Sequence, residues 1–281
     1  MPHHLLLSAV EHTLLFRDHV EAGALWVRLR ERLPEARAVC LMPDHVHVLH
    51  GRDVRRRLGD AANAYAQWRN ARRGERGRVF EHLPPTEEVG AGQKARRHVR
   101  YIHLNPCRAG LVTDPLAWAW STHRDAVGLA LPPWRRRVPD PLAFHRYVSG
   151  DPTVHVRGTE LPGLTLALPG GERGFRAVQA AVSELLRVPW SEVTRRGPAR
   201  RLVVSATVEL GALSISEVAR LAGVTPRAVR QASVGSDPRV AQVAQVVGDA
   251  RFPGLVVQDL RWQSGWRRYM RRRGIARGPR G

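Results

Sequence analysis

Lysine is nearly missing from this chain of 281 residues, where Lys94 is the single lysine among 45 basic side chains. The positive charge is therefore arginine, whose guanidinium stays protonated and forks onto phosphate. Cysteine is also scarce. Cys40 and Cys107 are too few for a disulfide framework or a four-cysteine zinc module, so a reducing compartment is expected. No run of about 18 apolar residues occurs, and no charged amino-terminal stretch leads into a long apolar one. That pattern argues against a membrane span and an export signal, and a cytoplasmic, nucleoid-associated protein is expected. Acid is short as well. The 25 Asp and Glu against 45 Lys and Arg leave a formal net charge of +20 and a pI near 11.6. An arginine-biased genome explains Arg over Lys but not the sign of the balance, so nucleic acid is the expected partner.

What is present begins with Leu41-Met42-Pro43-Asp44-His45-Val46-His47-Val48-Leu49, two histidines one residue apart inside an apolar run. In a β-strand, alternation turns His45 and His47 to one face and Val46 and Val48 to the other. Two imidazoles on one face of a rigid element are half of a metal site. An isolated His-x-His is more often a solvated or core-edge pair, so a second stretch decides. Residues 99–112, VRYIHLNPCRAGLV, read as the last turns of a helix stopped near Pro106, with Tyr101 and Asn105 at i and i+4 on one face. A phenol is a poor nucleophile at its ordinary pKa of about 10. It gains from a cation that polarises the group it attacks. The Asn105 oxygen is a candidate third ligand, and its place before Pro106 also suits a cap of the following turn. His98 shares roughly the face of Tyr101 and is the reserve ligand, while His103 points elsewhere. Tyr65, Tyr147 and Tyr269 are weaker nucleophile candidates.

The block MPDHVHVL followed by YIHLNPCRAGLV resembles the single-tyrosine transposases of the HUH endonucleases, especially the branch associated with repeated extragenic palindromes. Leu15-Phe16-Arg17-Asp18, Gly77-Arg78-Val79-Phe80 and Trp118-Ala119-Trp120-Ser121-Thr122-His123-Arg124 fit the same pattern, and the resemblance covers about residues 1–150. It implies an α+β, ferredoxin-like HUH nuclease domain, an antiparallel sheet with helices on one face. It further implies that His45, His47 and Asn105 hold Mg²⁺ or Mn²⁺ and that Tyr101 cleaves single-stranded or hairpin DNA. A 5′-phosphotyrosine and a free 3′ hydroxyl would result. Arg108, next to the tyrosine helix, is an expected DNA contact, and a monomer or homodimer fits the family. The segment Leu83-Pro84-Pro85-Thr86-Glu87-Glu88 departs from the basic segment the resemblance implies, and Glu81 and Glu88 read as surface or capping residues. The rival reading is a non-catalytic DNA-binding regulator.

Along the chain, strands are predicted at 4–10, 36–41 and 44–50, helices at 19–32 and 53–72, and an edge strand at 78–82. The helix at 53–72 interleaves arginines with Tyr65 and Trp68, which makes Arg69 and Arg72 candidate DNA contacts. The tyrosine helix is predicted at 93–105, and a short helix at 143–148 closes the domain 1–150. Residues 151–174 read as a Gly- and Pro-rich linker, in which 153–157 could form a strand. An all-α helix-turn-helix domain is predicted at 175–235. Its helices at 175–186 and 199–210 precede a motif in which Ala219 permits close approach, Gly223 turns, and Thr225 caps a helix begun by Pro226. Arg227, Arg230 and Gln231 would face duplex DNA. This arrangement resembles the carboxy-terminal DNA-binding domain of the bacterial replication initiator. Residues 236–281 read as a basic helical tail that docks by Trp262, Trp266 and Tyr269 and offers its arginines to phosphate.

Overall fold

The structure, a computed structural model, describes residues 1–128, 130, 134, 137–152, 171–211, 213–235, 237–247 and 264–275. It divides into two compact units, one formed by 1–128, 133–162 and 257–281, the other by 129–132 and 163–256.

The first unit opens with β1 (His3–Ser8), α1 (His19–Arg32), β2 (Ala38–Leu41), β3 (His45–His50), α2 (Arg55–Arg73) and β4 (Glu87–Glu88). The sheet runs β2-β3-β1-β4 with every neighbouring pair antiparallel. This is the β-α-β-β-α-β plait of ferredoxin-like folds, and the α+β expectation holds. α1 starts where the Asp18 carboxylate accepts from the Glu21 N–H at 2.9 Å. α2 stops at Gly74, whose φ of 63° suits glycine. The Tyr65 hydroxyl donates to the Leu15 carbonyl at 2.6 Å and seats α2 on the chain before α1. β3 lies at the centre, and Val46 and Val48 are wholly buried. α3 (Gln93–Arg108), α4 (Thr122–Ala126) and α5 (Pro141–Ser149) follow.

Two local expectations are corrected here. Residues 78–82 form no edge strand; Phe80 makes an isolated bridge to Ala9, and the edge strand is Glu87–Glu88, paired with His3 and His4. The outer edge of β1 is thus covered in two pieces, because Pro84 and Pro85 between them have no N–H to offer a ladder. The tyrosine helix does not stop before Pro106 but runs to Arg108. Pro106 lies in the last turn, where Leu104 and Cys107 are buried with Val148 of α5, and that packing offsets the one helical bond a proline loses.

The second unit is all helix among its described residues. It comprises α6 (Gly171–Leu186), α7 (Trp190–Thr194), α8 (Pro198–Glu209), α9 (Ile215–Ala222), α10 (Pro226–Ala232) and α11 (Arg239–Val247). Val178, Val182, Leu202, Val203, Val218 and Val229 are the centre of its core. α9 begins with a reciprocal capping box between Ser214 and Glu217 and ends at Gly223, φ 61°. The Thr225 hydroxyl accepts from the Ala228 N–H at 3.2 Å, with Pro226 in the first turn of α10.

The carboxyl end is not one basic tail from 236. α11 turns Val240, Val243, Val246 and Val247 into the core of the second unit. The last helix, α12 (Ser264–Arg272), belongs to the first unit. Trp262 and the alternation at 153–157 lie outside the described residues. No helix among the described residues is long and apolar enough to cross a membrane.

Candidate functional site

β3 delivers the two imidazoles as its alternation requires, with His45 Nε2 and His47 Nε2 3.1 Å apart. Two imine lone pairs do not face one another at that distance without a positive centre between them, a ring proton or a cation. Nitrogens that share one cation at about 2.0–2.1 Å stand roughly 2.8–3.4 Å apart for bond angles between square and tetrahedral. The pair fits that spacing.

Each ring is also held from behind. The Asp44 carboxylate lies 2.6 Å from His45 Nδ1, which puts the ring hydrogen on Nδ1 and leaves the Nε2 lone pair for the site. His47 Nδ1 lies 3.0 Å from His4 Nε2 of β1, and the two rings stack at 5.3 Å. His47 is 4% exposed. Burial first, then the neighbouring His45, His4 and His98, hold it well below the ordinary imidazole range, so it stays neutral. His4 and His98 are lowered as well, each first by burial. Burial pushes the Asp44 carboxyl up, but the His45 imidazole, the Tyr269 hydroxyl and the Arg273 guanidinium outweigh it and bring it down to about 2.

α3 brings Tyr101 alongside. Its ring stands 5.8 Å from the His47 ring, at 85°, and 5.7 Å from that of His98. Tyr101 is 41% exposed, whereas the next three residues, Ile102, His103 and Leu104, are buried, so the phenol sits on the rim. The Arg108 guanidinium lies 5.2 Å from the Tyr101 ring centroid and pairs with Asp151. An open cleft of about 420 Å³ adjoins the phenol, lined by Glu88, Lys94, Arg97, His98 and Tyr101.

Asn105 lies inside α3, and its carbonyl accepts from the Ala109 N–H at 2.9 Å. It therefore does not cap a separate turn at Pro106. Its side-chain Nδ2 is buried with no partner among the described residues. Which end of an amide carries oxygen follows from its surroundings, and an unpartnered buried amide accepts a cation or a solvent molecule equally well by a flip. Among the described residues no three His, Cys, Asp or Glu side chains gather as a metal cage. The nitrogen donors brought together are thus the His45 and His47 imidazoles, an open set unlike a closed four-ligand structural zinc site.

The expected DNA contacts divide. Arg69 is corrected: it is 6% exposed, donates to the Leu14 carbonyl at 3.4 Å and pairs with Glu75 at 3.3 Å. It faces the interior because α2 turns that stripe toward α1. Arg72 is held by Asp18 at 3.0 Å, with its guanidinium 5.7 Å from the Trp68 ring centroid. Arg227, Arg230 and Gln231 are exposed on α10, around the buried Val229.

Sequence reasoning missed two groups. Asp44 stands beside His45 in the motif, but strand alternation assigns it the wrong face; it reaches His45 because it lies just outside β3. His4 has no local signal, since only the register His4↔Leu49 and Leu6↔His47 makes it a diagonal neighbour of His47.

Compared with protein families and with curated proteins, the chain matches none. Among solved structures it is similar to one described as the structure of the REP associates tyrosine transposase bound to a REP hairpin. The identity is 20%, the overlap takes in 50% of this chain and 87% of that chain, and the TM-score is 0.37. A likeness of that extent leaves the weight on the geometry of the site.

Proposed function

We propose that the first unit is a metal-dependent single-stranded DNA endonuclease and strand transferase of the single-tyrosine HUH type, with Tyr101 as nucleophile. One observation carries this reading: the rim phenol stands beside a strand-borne pair of imidazoles whose Nε2 atoms are 3.1 Å apart. His45 and His47, with the Asn105 amide, would hold Mg²⁺ or Mn²⁺. When bound there, such an ion withdraws charge from the scissile phosphate and stabilises the departing oxygen.

The residues of the chain do the rest. Arg108, with Arg97 and Lys94 of the cleft, holds the phosphate against the phenol. The Tyr101 oxygen forms the bond to phosphorus as the bond to the 3′ oxygen breaks. The phenolic proton leaves to solvent, and the 3′ oxygen takes one up. The phosphate stays on Tyr101 as a 5′-phosphotyrosine, and attack by a 3′ hydroxyl reverses the step on the same or another strand. Because bond energy is conserved, rejoining needs no external source. A hairpin or palindromic target follows from the resemblance of the two motif blocks.

The test is a denaturing gel of end-labelled hairpin DNA incubated with the protein and Mn²⁺. A covalent adduct is expected, lost with chelator and lost in Tyr101→Phe. An adduct that persists in Tyr101→Phe would refute the assignment. The second reading, a DNA-binding regulator, is favoured by the capped α9–α10 pair with Arg227, Arg230 and Gln231 exposed. It predicts retardation on a native gel with no adduct under any metal condition.

A further inference from the structure

The backing of His45 does not end at Asp44. Asp44 is 3% exposed, and both of its carboxylate oxygens are taken. Oδ1 faces His45 Nδ1 at 2.6 Å and accepts from the Tyr269 hydroxyl; Oδ2 accepts from Arg273 Nε at 3.0 Å. Tyr269 lies in α12 and Arg273 directly follows it, more than 220 residues along the chain from Asp44. α12 is seated by its apolar side. Trp266 is 1% exposed, with its ring 5.5 Å from Phe16 and 6.1 Å from Trp118, and Met270 is buried beside it. Gly265 allows the approach, since a Cβ there would stand 2.5 Å from the Leu111 carbonyl oxygen.

We infer that α12 is part of the active site and that Tyr269 and Arg273 are positioning residues, which lock the Asp44 carboxylate so that His45 presents Nε2 beside His47. The inference rests on the reading that His45 and His47 hold a divalent cation. Its physical basis is a count of donors. A carboxylate with one partner on a short side chain rotates, whereas three donors from two directions fix its plane. The imidazole that donates to it is then fixed in tautomer and angle. The arginines of α12 and the residue after it are consequently not all free for phosphate. Arg273 is committed to Asp44, while Arg267, Arg268, Arg271 and Arg272 are exposed on the outer side. The catalytic unit requires residues that follow the helical unit in sequence, and a fragment ending near residue 150 would lack them.

Mn²⁺ binding to the full chain, read from the free-ion electron paramagnetic resonance signal without DNA, tests this. His45→Ala with His47→Ala should abolish binding at the site; unchanged binding in that double variant overturns the underlying cation reading. With that control in place, Tyr269→Phe combined with Arg273→Gln should weaken Mn²⁺ by about tenfold or more, the usual cost of losing such backing groups. Tyr269→Phe keeps the buried ring, and Arg273→Lys should restore part of the loss by returning a cation. Wild-type affinity in Tyr269→Phe/Arg273→Gln overturns the inference alone. Should that variant fail to fold, the single variants decide: weaker Mn²⁺ binding in Tyr269→Phe or in Arg273→Gln supports the lock, and wild-type affinity in both overturns it.

Discussion

The pair of Glu21 and Arg73 offers a quantitative test of how α1 and α2 are held behind the histidine strand. Arg73 Nε and Nη2 reach the two Glu21 carboxylate oxygens at 2.7 and 2.6 Å, and the Arg17 N–H adds a third bond at 2.6 Å. The side chains are 5% and 4% exposed. Replacing Arg73 by Met leaves a buried carboxylate with one backbone donor, and such a break costs about 3–5 kcal/mol. With a urea slope of about 2 kcal/mol/M, the unfolding midpoint of the first unit should fall by about 2 M. The double variant Glu21→Leu/Arg73→Met should recover much of this, because it removes the stranded charge together with its partner.

The pH dependence has a definite sign. Burial raises the Glu21 carboxyl, but the bonds and charge of Arg73 and the Arg17 N–H bring it below the usual carboxylate value. A folded value below the unfolded one stabilises the protein at and above the ordinary range near about 4.3 and is lost as pH falls through the folded value. In Arg73→Met burial is no longer outweighed and the Glu21 carboxyl rises, so the gap should begin to shrink above the ordinary carboxylate range and go on shrinking as pH falls toward the wild-type folded value. A gap under about 1 kcal/mol, or one indifferent to acid, would refute the reasoning.

Three further outcomes follow from the same structure. Trp266→Ala should destabilise the first unit by about 3–5 kcal/mol in thermal or urea unfolding, since it empties a fully buried indole site between Phe16 and Trp118. Thr225→Ala removes the cap of α10 and should cost the second unit about 1 kcal/mol, measured by chemical denaturation. If α10 meets duplex DNA, Arg227→Ala and Arg230→Ala should each lower the slope of log affinity against log salt by about 1, in fluorescence anisotropy titrations. Arg69→Ala should leave that slope unchanged, because its guanidinium faces the interior.

Much of the molecule was legible because local rules dominate locally. α1 was predicted at 19–32 and runs His19–Arg32, set by an apolar periodicity, the Asp18 cap and Pro34 beyond its end. The α9–α10 pair followed from Gly223, Thr225 and Pro226, residues whose backbone preferences act within one turn. Errors arose where a longer contact overrode the local signal. Pro106 marked a helix end, yet burial of Leu104 and Cys107 carries α3 to Arg108. The edge strand was predicted at 78–82, yet the free edge of β1 pairs with Glu87 and Glu88, which stay on the surface as expected of Glu88. Arg69 carried the signature of a phosphate contact, yet helix pairing turned it inward.

The division has a physical cause. Strand alternation alone places His45 and His47 on one face, and helical spacing alone places Tyr101 one turn from Asn105, since both periodicities are properties of the backbone. Whether the strand and the helix face one another depends on packing between elements that are far apart in the chain. The same holds for His4, which reaches His47 through strand register, and for Tyr269 and Arg273, which reach Asp44 only because the apolar side of α12 docks on Phe16 and Trp118. Composition and motif thus determined the chemistry available to this protein, and tertiary packing decided which of its side chains hold that chemistry in place.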